Sequence, residues 1–197
     1  MIMKKSLALA AVLGVATLLA TPVVGNAAEI TSGGTTTATV GLEQDPSAQL
    51  ALTKAPTIEF GSEKIGAGEL HLKATSVDDD ITVENPGLAD GWQVTVAGTQ
   101  FTSSSSKTLT GAELKFAEGT VAAVGENSSE APASSAVTVA GDDSTIFSAS
   151  QNAGLGTWGN KHELSDVTLD IPAGNVAGTY TSTLTWTLTS APTVPAA

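Results

Sequence analysis

The sequence predicts an all-β fold, a single β-sandwich or barrel-like domain with Greek-key-type connections, placed after an export signal. Three observations carry this. Beyond residue 28 no apolar run recurs with the 3.6-residue period of a helix, short stretches rich in Val, Thr and Ile alternate apolar with polar residues, and Gly, Ser, Asn, Asp and Pro separate them at turn-length spacing. Many short strands of this kind bury their apolar faces against one another as a sandwich or a barrel.

The export signal lies at the N-terminus. Lys4 and Lys5 precede an uncharged run from Ser6 to Ala20, which ends at Thr21-Pro22 and the small residues Gly25, Ala27 and Ala28. A basic start, an apolar stretch of about 15 residues and a small-residue cleavage site describe a signal peptide. A membrane-spanning helix needs about 20 apolar residues and tolerates no Pro22 at its end so readily. Cleavage after Ala27 or Ala28 is expected; with Ala28 as the first mature residue, residues 1–27 are the signal peptide and 28–197 one domain, secreted and without direct membrane insertion after processing. With no cysteine in the chain, packing alone must hold the exported fold, and no N-terminal Cys is present to carry a lipid. The C-terminal residues show neither a second apolar segment nor an LPxTG-like sorting motif, so retention at a surface is expected to be non-covalent.

Charge narrows the partners. The chain holds eight Lys and no Arg against twenty acidic residues; removing Lys4 and Lys5 leaves six against twenty, a net charge of −14. Such a surface repels phosphate backbones and anionic lipid, which excludes nucleic acid as a partner class. Anionic wall polymers repel it as well, so any affinity for a wall must be short-ranged.

Strands are expected over residues 35–42, 48–53, 57–60, 69–75, 81–84, 92–97, 113–117, 136–140, 145–149, 167–171 and 179–189. The last is the clearest. Tyr180, Leu184, Trp186 and Leu188 share one face, with Ser182 interrupting, and threonines at 181, 183, 185, 187 and 189 form the other. Its length suggests a central or long-paired strand. Trp92, Val94 and Val96 likewise point inward with Gln93 and Thr95 outward, and Leu70, Leu72 and Ala74 share a face. Residues 102–107 and 125–135 read as loops, and Asp142-Asp143 after Gly141 as a hairpin turn.

Catalytic groups are sparse. His71, between Leu70 and Leu72, is expected to point outward from a strand, and His162 to lie in a loop; neither has a metal-ligand spacing. Asp78, Asp79 and Asp80 lack the alternate-position pattern of a calcium loop and read as a solvated turn. No enzyme, cofactor or metal is therefore expected. Trp92 and Trp186 are expected in the core, where each buries about 200 Å²; truncating Trp186 to Ala is then expected to cost about 3–5 kcal/mol. Trp158 stands between Gly154, Gly156 and Gly159 in what reads as a loop, free to stack on a sugar ring or a partner, or to fold back over the core.

Two segments resemble the WxL-domain family, cell-surface proteins of low-GC Gram-positive bacteria named for two Trp-x-Leu motifs. The distal one is Ile171-Pro172-Ala173-Gly174, Ala177-Gly178-Thr179-Tyr180 and Leu184-Thr185-Trp186-Thr187-Leu188, followed by Pro192. The proximal one is Gly91-Trp92-Gln93-Val94-Thr95-Val96, with Val94 where the family has Leu, preceded by Val77 and Asp78. Leu50-Ala51-Leu52-Thr53, Pro56 and Phe60-Gly61 are similar to the family's opening strands. The resemblance implies non-covalent attachment to the cell wall, generally to peptidoglycan, co-assembly with a membrane-anchored WxL-interacting protein and other WxL proteins, and a role in adhesion. The residues themselves read Trp92, Val94, Tyr180, Trp186 and Leu188 as core signatures rather than a glycan-contacting surface. Three functions follow in order of preference: a non-catalytic wall-binding module, a subunit of a surface complex that offers a sheet edge to a partner, and an enzyme with two carboxylates converging in a cleft.

Overall fold

A computed structural model describes residues 35–191. The signal-peptide segment lies outside the described residues. The chain divides between Gly41 and Leu42. Of the first unit residues 35–41 are described, and they hold no regular secondary structure, so the strand expected over residues 35–42 does not form. Its three apolar residues, Ala38, Val40 and Leu42, bury too little by themselves to hold an extended segment.

From Leu42 onward all regular structure among the described residues is strand. The strands are β1 (Ala51–Lys54), β2 (Ile58–Glu59), β3 (Leu70–Lys73), β4 (Ser76–Val77), β5 (Ile81–Asn85), β6 (Gly91–Gly98), β7 (Thr102–Ser103) and β8 (Glu113–Phe116). They continue as β9 (Thr120–Ala123), β10 (Ala133–Ser134), β11 (Val137–Val139), β12 (Ser144–Ala149), β13 (Gly156–Lys161), β14 (Val167–Ile171), β15 (Tyr180–Thr181) and β16 (Leu184–Ala191).

Three four-stranded sheets carry the fold, ordered β1-β5-β13-β9, β10-β12-β6-β16 and β11-β8-β14-β3. Every ladder is antiparallel, and none joins strands consecutive in sequence. The first two sheets approach each other along both edges, β9 beside β10 and β1 beside β16, in a barrel-like arrangement. β11 of the third sheet lies against β6 and β12. One apolar core joins all three, with Ile81, Val83, Trp92, Val94, Val96, Phe116, Ile146, Phe147 and Val167 fully enclosed.

This packing corrects several expectations. Thr95 is buried rather than outward and solvated: it sits at the middle of its sheet, flanked on the same face by Thr145 of β12 and Thr187 of β16. β16 is long-paired but not central, since all eight of its residues pair with β6 and it closes the sheet as an edge. Tyr180 is separated from it, on the short strand β15 paired with Ser103 of β7. The segments read as loops at 102–107 and 125–135 contain β7 and β10. Asp142-Asp143 turns the chain from one sheet to another, since β11 pairs with β8 while β12 pairs with β6 and β10.

Candidate functional site

Two of the three tryptophans, Trp92 and Trp186, define the expected motifs. Trp92, fully buried on β6, packs edge-on against Phe147 with ring centroids 5.0 Å apart, and its Nε1 donates to the Gly154 carbonyl at 3.2 Å. Val94 is fully buried beside it. Trp186 is half-buried on the edge strand, its ring edge-on to Phe116 at 5.9 Å, and Leu188 is half-buried on the same face. The Tyr180 hydroxyl donates to the Val176 carbonyl at 2.8 Å, four residues upstream, a local tether like the tyrosine corner of β-sandwiches.

Trp158 is not in a loop. It sits in the middle of β13, opposite Val83 of β5 on one side and Ala123 of β9 on the other, and is 6 % exposed. Its Nε1 donates to the Leu155 carbonyl at 2.8 Å, so no ring face is open to a sugar. The glycines that disguised this strand each answer to a neighbour. Gly156, with φ of 84°, lies under the Asn127 amide, and Gly159 lies beneath the Asp80 carboxylate, which would be in ordinary contact with a Cβ there at 3.6 Å. A signal was nonetheless present: Trp158, Asn160 and His162 fall at period two, and all three are buried.

Because Ile81, Val83, Asn85, Trp158 and Asn160 face inward, the alternate residues Thr82, Glu84, Thr157, Gly159 and Lys161 face outward. Of these, Thr82, Glu84, Thr157 and Lys161 floor two adjoining depressions of about 380 and 570 Å³ that share Glu84 and Thr157. Together these make an open trough across the outer face of the β1-β5-β13-β9 sheet. Its lining sets polar and charged side chains among apolar surface that includes Val77 and Val124. Lys54 donates to Asp79 at 2.8 Å and Lys161 to Glu163 at 2.8 Å, and these carboxylates raise both lysine pKa values, so both ammonium groups are charged at neutral pH. The three consecutive aspartates turn to separate partners: Asp78 accepts from the Thr57 N–H at 2.6 Å, Asp79 takes Lys54, and Asp80 lies over Gly159. Among the described residues no group of three His, Cys, Asp or Glu side chains is placed to hold a metal ion.

The two histidines part company. His71 points outward from β3 as expected, but in a cross-strand network: its Nδ1 meets Asp170 of β14 at 2.7 Å and its Nε2 meets Glu69 at 3.2 Å, while Lys115 of β8 bridges Asp170 and Glu113 at 2.9 and 2.8 Å. The hydrogen bond His71 gives to Asp170, then that to Glu69, raises the His71 pKa; His71 and then Lys115 lower that of Asp170. His162 is no loop residue at the surface. It is 4 % exposed and edge-on to Phe116 at 5.3 Å, and neither ring nitrogen has a hydrogen-bond partner. Burial pushes its pKa down; the Ala117 backbone favours the charged form without reaching hydrogen-bond geometry.

A protein-family model described as "WxL domain surface cell wall-binding" matches residues 33–192. The chain belongs to that family. The WxL domain is thus a cell-surface, cell-wall protein, and its two motif tryptophans, Trp92 and Trp186, sit one at the centre and one at the edge of the same sheet. No curated protein and no solved structure matches the chain. The resemblance drawn from the two tryptophan segments holds over residues 33–192, and Val94 in place of Leu keeps an apolar side chain in the core.

Proposed function

We propose that this WxL domain is a non-catalytic module, exported by removal of residues 1–27, that binds the glycan of peptidoglycan through the trough on its β1-β5-β13-β9 sheet and is held at the wall without a covalent bond. The observation that carries this reading is the continuity of the two depressions at Glu84 and Thr157. An open trough that sets hydroxyl, carboxylate and ammonium groups among apolar surface suits a linear polymer of sugar rings. Thr53, Thr82 and Thr157 offer hydroxyls, Asp79, Asp80 and Glu84 accept hydrogen bonds, and Lys54 and Lys161 bring positive charge to a module whose net charge after processing is −14. Affinity then comes from short hydrogen bonds rather than from stacking, since the motif tryptophans are turned to the core.

Sedimentation of residues 28–197 with isolated cell walls tests this. Retention well above that of an unrelated acidic protein, unchanged or stronger as salt screens repulsion between like charges, is the expected result. Loss of retention in salt would mean that a long-range ionic attraction holds the protein instead. A second reading, a structural subunit of a surface complex with a membrane-anchored WxL-interacting protein and no direct glycan binding, draws support from the edge position of β16. Retention that appears only when that partner is supplied would favour it.

A further inference from the structure

An edge strand leaves one row of backbone N–H and C=O groups unpaired, and proteins usually guard such a row with charge, proline or a bulge. β16 carries none of these. Its eight residues pair in unbroken register with β6 on one side, and among the described residues no strand pairs with the other side. β1 comes near without forming a ladder. On its inward face Leu184, Trp186 and Leu188 pack against the core yet remain half-exposed, so the apolar row is incompletely covered at the edge.

The same chain carries a strand-like segment with no sheet. Residues 35–42 are uncharged, alternate threonine with apolar residues, and hold no regular structure, leaving Val40 81 % and Leu42 92 % exposed. The two patterns match: Ala38, Val40 and Leu42 would extend the row of Leu184, Trp186 and Leu188, while Thr37 and Thr39 would extend the row of Thr185, Thr187 and Thr189. Two uncharged strands can also meet where the rest of a strongly acidic molecule repels its copies.

We propose that residues 35–42 of one molecule add as an antiparallel strand to the free edge of β16 in a second copy of this chain. Direction argues for a second copy. Gln44 Nε2 donates to the Pro86 carbonyl at 3.0 Å, which pins the chain just after this segment to the turn where β6 begins and β16 ends. Laid on its own β16, the segment would run parallel to it, whereas every ladder among the described residues is antiparallel and the parallel pairing is the weaker one. A donor at one end and an acceptor elsewhere make a head-to-tail contact, which propagates into rings or chains. One added strand buries less than the about 1,200 Å² of a standard interface, so the association is weak in solution and favoured by crowding at a surface. It goes beyond wall binding and does not depend on it.

The chain has no cysteine, which makes single-cysteine cross-linking clean. Residues 28–197 bearing Thr39→Cys are mixed with chains bearing Thr185→Cys, Thr187→Cys or Thr189→Cys and oxidised. A disulfide-linked heterodimer with one or two of the three acceptors is expected, lost when Val40→Asp and Leu42→Asp are added to the donor, a change confined to an exposed segment. An internal disulfide in a dilute Thr39→Cys/Thr187→Cys chain would show that the segment folds onto its own edge. Absence of cross-linking with all three acceptors, or sedimentation as a monomer at every concentration, would equally overturn the proposal.

Discussion

The indoles of Trp92 and Trp158 end on consecutive peptide carbonyls: Trp92 donates to Gly154 at 3.2 Å and Trp158 to Leu155 at 2.8 Å. One tryptophan belongs to the β10-β12-β6-β16 sheet and the other to the β1-β5-β13-β9 sheet, so the dipeptide Gly154-Leu155 ties the two sheets together. The excursion between β9 and β10 clamps it from outside, with Asn127 Nδ2 on the Leu155 carbonyl at 2.8 Å, the Leu155 N–H on Ser129 Oγ at 3.0 Å and the Gly154 N–H on the Glu130 carbonyl at 2.8 Å. The proximal motif tryptophan therefore acts as a structural tie, and the segments that hold it in place are distant in sequence.

Gly154→Ala is expected to destabilise the domain by about 2–4 kcal/mol, through the strain of a side chain at positive φ and the overpacking it brings. Its φ is 62°, and a Cβ would stand 2.6 Å from that of Ala149 and 2.9 Å from the Trp92 ring. Urea unfolding followed by tryptophan fluorescence measures this. A change below about 0.5 kcal/mol, the size of an ordinary surface substitution, would remove the tie.

The two motif tryptophans are expected to differ in cost. Trp92→Ala empties a fully enclosed site and should cost about 3–5 kcal/mol, whereas Trp186→Ala, on a half-exposed edge, should cost about 1–3 kcal/mol. This revises the sequence-based value for Trp186. Equal losses in denaturant titrations would return Trp186 to the core.

The histidines should titrate in opposite directions from 6.5, resolved by NMR. His71 is raised, so its contribution to stability is full below the unfolded value and is lost as pH rises through the folded pKa. Asp170 is lowered, so its contribution is lost as pH falls through its own depressed pKa, and the network is complete between the two. His162 is lowered by burial, so stability declines as pH falls below 6.5 toward its folded pKa. Asp170→Asn should bring the His71 titration back toward 6.5 and leave His162 unmoved; a His71 pKa unchanged in that variant would deny the pairing.

How far the sequence reaches is visible in particular strands. β16 was legible because threonine and large apolar residues alternate without interruption, but alternation reports only which residues face inward and is silent about how many neighbours a strand has. β13 was hidden because its outward positions are Thr157, Gly159 and Lys161, and glycine beside an aspartate carboxylate reads as a turn until the carboxylate is located. Residues 35–42 have the pattern of a strand without a partner in this structure. The trough was not legible at all, since its floor comes from β5 and β13, which pair although they are far apart in the chain.

Retention of trough variants on isolated cell walls tests the account most directly. Glu84 and Thr157 face each other across β5 and β13, are outward-facing and are shared by both depressions, so Glu84→Ala/Thr157→Ala should leave stability within about 1 kcal/mol of the parent. Wall retention of that variant should fall about ten-fold or more, the equivalent of about 1.4 kcal/mol of binding free energy. Undiminished retention by a variant that melts like the parent would contradict the assignment of the wall-binding face to this sheet.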